Sequence, residues 1–281
     1  MASRSVRRRV VATAAVALTG VLGLSACGDD GGDTASDSKV PGVKLVEGGK
    51  LTTCTSLPYP PFQFPQGGKT VGFDVDLVDL VAKRLGVTQK IVDVKFDIIK
   101  SGAALNSGRC DIAAAGMTIT DERKANLDFS VPYFPEAIAL VTEKGSGVTT
   151  LDQVKAKGLQ IGVQVGTTSL DEAKKKGLKP KEFDDAGKQL LALQSGQIDV
   201  ALQDLPVVND WLKKPDFASK YERTNQFVTG FSYGFAVKKG GNPELLKTVD
   251  ETIKTAVKDG TWRRLYVQWI GSEPPAPPAA Q

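Results

Sequence analysis

A chain of 281 residues with 41% hydrophobic and 24% charged side chains has enough apolar material for one large domain or two smaller ones. Its formal charge of +4 is supplied by Arg4, Arg7, Arg8 and Arg9, so the remainder is neutral and does not read as a nucleic-acid surface. A sequence without histidine excludes Ser-His and Cys-His nucleophiles and every His-ligated metal site, and neither metal nor cofactor is expected.

The chain opens on a targeting segment. Its Arg-rich start runs into an apolar stretch from Val10 to Leu24 and small residues at Ser25-Ala26. That stretch is too short and too Ala-rich for a membrane span, which needs roughly 20 residues, and residues 1–26 read as a secretion signal. Leu24-Ser25-Ala26-Cys27 resembles the bacterial lipobox, in which the cysteine receives lipid and becomes the mature N-terminus. The Gly/Asp/Ser-rich stretch after Cys27 reads as a flexible tether, residues 27–46. Two or more acyl chains, such as palmitate, on Cys27 would hold the protein stably at the extracellular face of the cell membrane.

Strand and helix signals then alternate. Lys50 to Thr55 reads as a strand ending in the turn Pro58-Tyr59-Pro60-Pro61-Phe62. Gly72 opens a helix with an apolar face of Val75, Val78, Val81 and Leu85, closed by Gly86. A strand near Lys90 to Val94, a helix near Ile98 to Leu105 and a strand at Asp111 to Ala115 follow. Beyond Glu143 the pattern predicts a strand at Leu159 to Gln164 and helices at Thr168 to Lys175 and Ala186 to Gln194. A strand at Ile198 to Gln203 and a helical stretch from Pro243 to Trp269 precede a Pro/Ala tail, residues 271–281, that needs no structure. Such alternation implies parallel sheets flanked by helices.

One motif occurs twice. Asn106-Ser107-Gly108-Arg109-Cys110-Asp111-Ile112-Ala113 echoes Gln194-Ser195-Gly196-Gln197-Ile198-Asp199-Val200-Ala201, each a helix end, a glycine cap and a buried strand. Gly116 and Asp204 stand at the same distance beyond the two aspartates, at the carboxyl ends of the strands, where open α/β sheets bind ligands. Two lobes built on one plan would face each other across a cleft.

Four stretches then carry a family resemblance: Gly72-Phe73-Asp74-Val75-Asp76-Leu77, Gly116-Met117-Thr118-Ile119-Thr120-Asp121-Glu122-Arg123, Asp128-Phe129-Ser130-Val131-Pro132-Tyr133 and Gly162-Val163-Gln164-Val165-Gly166-Thr167-Thr168. In this order, with Tyr233-Gly234-Phe235-Ala236-Val237 after them, the chain from about Leu51 to Trp269 resembles the polar amino-acid family of bacterial extracellular solute-binding proteins, which serve ATP-binding-cassette importers. The resemblance implies a two-lobed, type II periplasmic-binding-protein fold of class α/β, each lobe a mostly parallel sheet flanked by helices. It places the first lobe at residues 47–141 and 236–270 and the second at 142–235. It also implies a monomer that hands its ligand to a membrane permease and does no chemistry of its own.

By the same resemblance Arg123 takes the ligand α-carboxylate with Thr118 and the Thr168 amide, a role suited to the planar guanidinium fork and to a helix N-terminus. A solvated helix-face charge is the plain alternative for Arg123. Asp204, with the Thr118 hydroxyl and the Gly116 carbonyl, is implied for the α-ammonium; its plain alternative is a helix N-cap. Tyr59 and Phe96 stand where relatives place aromatics over the ligand, although core packing would also explain them. Ser56 stands where several relatives carry Asp, which counts against a basic ligand and leaves a glutamine- or glutamate-like one expected. A dehydratase-like enzyme and a sensor feeding a signalling kinase share this scaffold and are the alternatives. Cys54 and Cys110 would pair outside the cell, but neighbouring parallel strands would offset them by roughly 13 Å, so the bond stays open.

Overall fold

The computed structural model describes residues 38–274 and 276, so Cys27, the signal segment, the start of the tether and most of the tail lie outside it. The first lobe opens with β1 (Lys50–Thr55), the hairpin β2 (Phe64–Gln66) and β3 (Lys69–Val71), and α1 (Phe73–Leu85). It continues through β4 (Thr88–Asp93), α2 (Phe96–Lys100), α3 (Ala103–Asn106), β5 (Ile112–Ala113), α4 (Asp121–Lys124) and β6 (Leu127–Phe129). The second lobe comprises β7 (Phe134–Glu143), α5 (Leu151–Ala156), β8 (Ile161–Gln164), α6 (Thr168–Lys175), β9 (Lys181–Phe183) and α7 (Ala186–Gln194). It ends with β10 (Val200–Asp204), α8 (Leu205–Leu212), α9 (Pro215–Lys220) and β11 (Tyr221–Tyr233). The chain then re-enters the first lobe with β12 (Ala236–Lys238), α10 (Pro243–Lys258) and α11 (Thr261–Ile270).

Two five-stranded sheets result, ordered β4-β1-β5-β12-β6 and β11-β7-β10-β8-β9. The βα units supply the parallel pairs: β1 with β4 and β5, and β8 with β9 and β10. The other pairings, through β12 in one sheet and β7 in the other, are antiparallel, because these strands join the sheets without a βα crossover. All of β7 lies in the second sheet, so the chain leaves the first lobe near Tyr133 and not at residue 141. Its apolar run Ile138–Val141, buried on both faces between β10 and β11, explains that placement. Two expected helices are each broken by a glycine in the left-handed region: Gly102 (φ 79°) separates α2 from α3, and Gly260 (φ 79°) separates α10 from α11.

The repeated motif has the same bonding in both lobes. Asp111 donates its N–H to the Thr52 carbonyl and accepts the Thr52 N–H on Oδ2 at 2.8 Å. Asp199 donates to the Gln160 carbonyl and accepts the Gln160 N–H on Oδ2 at 2.7 Å. Each aspartate therefore locks the amino-terminal entry of its strand, β5 or β10, to a parallel neighbour.

Local chemistry positions α1. Acidic Asp74 and Asp76 lie in its first turn, basic Lys83 and Arg84 in its last, and Gly86 closes it with φ 75°. Gly72 enters the helix at φ 138°, where a Cβ would come within 2.2 Å of the Phe62 carbonyl oxygen, so only glycine lets the Pro-rich turn pack there. Phe62, Phe73, Tyr133, Phe134, Tyr233 and Trp262 form a buried aromatic cluster where the chain passes between the lobes. The indole of Trp262 donates to the Tyr133 carbonyl at 2.9 Å, which satisfies its polar edge inside that cluster.

Cys54 and Cys110 form a disulfide, with their Cα atoms 5.7 Å apart. An offset of roughly 13 Å would hold only if Cys110 belonged to a strand beside that of Cys54. Strand β5 is only Ile112–Ala113, and Cys110 lies in the loop before it, where the spacing along a strand does not apply.

Candidate functional site

Ser56, Tyr59, Phe96, Gly116, Thr118, Arg123, Thr168 and Asp204 all border one cavity between the two sheets, together with Gln63, Ala115, Gln164 and Thr167. The first lobe supplies residues that follow β1 and β5 and those on α2 and α4; the second supplies the start of α6 and the end of β10. The cavity therefore lies at the carboxyl ends of parallel strands from both sheets, as the repeat predicts.

Arg123 is 4% exposed, which excludes a solvated helix-face charge. Thr120 caps its short helix by accepting the Arg123 N–H at 3.3 Å. The guanidinium donates from Nη1 to the Thr118 carbonyl at 2.8 Å and from Nη2 to the Gly166 carbonyl at 3.0 Å, which bridges the lobes. The Phe96 ring lies 5.3 Å from its central carbon, a cation–π contact, so Phe96 both packs the core and supports the charge. Burial lowers the arginine pKa, while the Glu136, Asp171 and Asp204 carboxylates raise it.

Asp204 occupies the N-cap position of α8 but makes no side-chain capping bond. Its carboxylate turns into the cavity, where Oδ2 lies 2.5 Å from the Tyr59 hydroxyl and accepts the Tyr233 hydroxyl. The Tyr59 hydroxyl is also 3.0 Å from Gln203 Oε1, so this side chain links the first lobe to the second. Burial, and then the nearby Glu136 carboxylate, push the Asp204 pKa up to about 7, against the pull of the two tyrosine hydroxyls and Arg123.

Gly116 needs its glycine: φ is +54°, and a Cβ would meet the Tyr59 ring at 2.9 Å. Its N–H donates to Asp74 Oδ2 at 2.8 Å, so the first turn of α1 holds this loop in place. Burial pushes the Asp74 carboxyl up to about 7. Thr168 is the first residue of α6, whose N-cap is Thr167. Ser56 is buried on the cavity wall, and its carbonyl accepts from Gln63 Nε2 at 3.5 Å.

Sequence reasoning missed Glu136. It is 2% exposed and takes three threonine hydroxyls: Thr118 at 2.5 Å and Thr168 at 2.7 Å on Oε1, and Thr229 at 2.5 Å on Oε2. It lies behind the cavity wall and holds two of the wall's side chains. Gln63 and Gln164 were also missed; each is buried on the wall with an amide oxygen that lacks a hydrogen-bond partner. Among the described residues no group of His, Cys, Asp and Glu could hold a metal ion, and no helix is long and apolar enough to cross a membrane.

Residues 51–180 and 173–272 match the profile of the bacterial extracellular solute-binding proteins, family 3. The chain belongs to this family. This solute-binding protein is 33% identical over 234 residues to the L-cystine-binding protein TcyJ of Escherichia coli K12, covering 82% of this chain and 86% of that one. It is 29% identical over 279 residues to the ABC transporter glutamine-binding protein GlnH of Bacillus subtilis 168, covering 95% and 99%. An ancestral arginine-binding protein solved with arginine superposes with a TM-score of 0.73 at 38% identity, over 79% of this chain and 98% of that one. These relatives bind amino acids, and the two-lobed α/β fold is shared with them.

Proposed function

We propose that this solute-binding protein captures a polar α-amino acid between its lobes and passes it to the permease of an ATP-binding-cassette importer. The observation that carries this reading is the placement of buried Arg123 on one lobe and buried Asp204 on the other, facing the same cavity. A zwitterion is the ligand that satisfies both. Its carboxylate offers the guanidinium a charged acceptor in place of neutral carbonyls, with the Thr168 amide beside it. Its ammonium offers Asp204 a charged donor, with the Thr118 hydroxyl and the Gly116 carbonyl in reach. Contact with both lobes favours the closed state, which is the condition for ligand-driven closure.

The reading is of a monomeric binder and not of an enzyme, so amino acid recovered after long incubation should be chemically unchanged. A saturating ligand at about 100 times its Kd should stabilise the fold by roughly 2.7 kcal/mol, visible as a raised melting temperature. Failure of every amino acid to raise it would contradict the proposal. Lipid anchoring through Cys27 is a separate part of the reading, resting on the lipobox alone. Labelled palmitate should enter the protein in a lipidating host, Cys27→Ala should release it into the medium, and an unlabelled wild-type chain would remove the anchor.

A further inference from the structure

Thr118 and Thr168 border the cavity, yet the hydroxyls of both donate to one atom behind its wall, Glu136 Oε1, at 2.5 and 2.7 Å. A hydroxyl carries one hydrogen and a carboxylate oxygen only accepts, so both hydrogens are committed to Glu136. What each hydroxyl has left for a ligand is its lone pairs. The carboxylate is itself held from the far side. Its Oε2 accepts the Thr229 hydroxyl at 2.5 Å, and that hydroxyl accepts the Phe231 N–H at 3.2 Å on β11. Thr118 follows β5 on the first lobe, whereas Thr168 opens α6 on the second. One oxygen therefore fixes both hydroxyls only where the lobes meet.

We propose that Glu136 is a positioning residue that fixes the Thr118 and Thr168 hydroxyls as acceptors, so that the site admits a donor at the ligand's α-position and rejects an acceptor there. The inference rests on the amino-acid reading above. An α-ammonium brings three N–H donors, and Asp204 and Gly116 border the cavity with Thr118 to receive them. A 2-keto acid with the same side chain and carboxylate sets an oxygen lone pair in that place. The hydroxyls cannot turn to meet it without leaving buried Glu136 Oε1 unpaired, so acceptor is set against acceptor. Glu136 itself touches no ligand atom. It acts through the two threonines, on the α-group and not on the side chain.

The test is titration calorimetry of the wild type with the twenty amino acids, followed by competition with the 2-keto acid of the tightest binder. Two neutral substitutions separate hydrogen-bond direction from charge. Glu136→Gln keeps an amide oxygen for the two hydroxyls and turns its NH2 to the Thr229 hydroxyl, which can accept. Glu136→Met has similar reach and no such acceptor. The wild type and Glu136→Gln should both reject the keto acid. In Glu136→Met the preference for amino over keto acid should fall on the order of tenfold or more below that of Glu136→Gln, because the freed hydroxyls can turn to donate. No gain for the keto acid in folded Glu136→Met, or an equal gain in Glu136→Gln, would overturn the role of Glu136. Comparable binding of amino and keto acid by the wild type would overturn the inference while the amino acid still bound. Binding of no amino acid at all would remove the reading beneath it. If Glu136→Met does not fold, Thr168→Val removes one fixed acceptor and should raise keto-acid binding relative to the amino acid; no such rise would overturn the inference.

Discussion

Arg123 and Asp204 define what the cavity can hold, because both are buried at 4–5% exposure with only neutral hydrogen-bond partners. Arg123→Ala should cost a ligand about 2–5 kcal/mol, roughly 30-fold to several thousand-fold in Kd, measured by calorimetry on protein whose unliganded melting is unchanged. A smaller loss would move the carboxylate partner elsewhere. Asp204 also sets a pH dependence. Asp74 and Asp204 are held at about 7 and Asp111 at about 6, above the ordinary 3.8 of a carboxyl. The folded chain therefore binds protons more tightly than the unfolded chain between pH 4 and 7, and stability falls as pH rises through that window. The ligand-free protein should melt at a higher temperature at pH 5 than at pH 8. Ligand binding should show the reverse order, since the ammonium pairs with ionised Asp204. Affinity that does not change across that range would contradict the Asp204 assignment. Gly116 and Asp204 were legible from the repeated motif, and the other six cavity residues came from the family resemblance carried by the ordered motifs around them. Glu136 was not legible, because Pro135-Glu136-Ala137 has no local signal. Pairing of β7 with β11 puts it opposite an irregular stretch between Val228 and Ser232, and only that contact brings Thr229 to it.

At the scale of elements, the parallel units and the joints between helix and strand could be read from apolar periodicity and glycine caps. The long β11 could not. Its residues are mostly half-exposed, and no continuous apolar face marks it as a strand. The two-residue length of β5 was equally hidden, and it leaves Cys110 in a loop whose Cα lies 5.7 Å from that of Cys54. That bond closes a loop with a sequence separation of 56, for which chain entropy predicts a contribution of about 4 kcal/mol. Denaturant unfolding of the paired Cys54→Ser, Cys110→Ser variant should show a loss of that order, and an unchanged midpoint would mean that the bond adds no stability. Gly116→Ala tests the turn. Its left-handed backbone and the Tyr59 contact predict weaker binding by an order of magnitude or more, with the protein still folded. Unimpaired binding would show that the loop yields without moving the Thr118 and Arg123 groups.

Across the whole molecule, the paired aspartate locks hold the entries of equivalent strands in the two lobes, the carboxyl ends of those strands meet at one cleft, and the aromatic cluster joins the lobes beneath it. Cross-lobe bonds from Arg123 to Gly166 and from Tyr59 to Asp204 hold that cleft closed, and they use the same groups assigned to the ligand. Binding and closure therefore share one set of contacts, and removing one should affect both. The central claim is that an amino acid bridges Arg123 and Asp204. Its most direct test is calorimetric titration of the wild type, Arg123→Ala and Asp204→Asn with the twenty amino acids. The account predicts saturable one-to-one binding of at least one of them by the wild type and its loss in both variants. Binding that survives both substitutions, or no binding by the wild type, would contradict it.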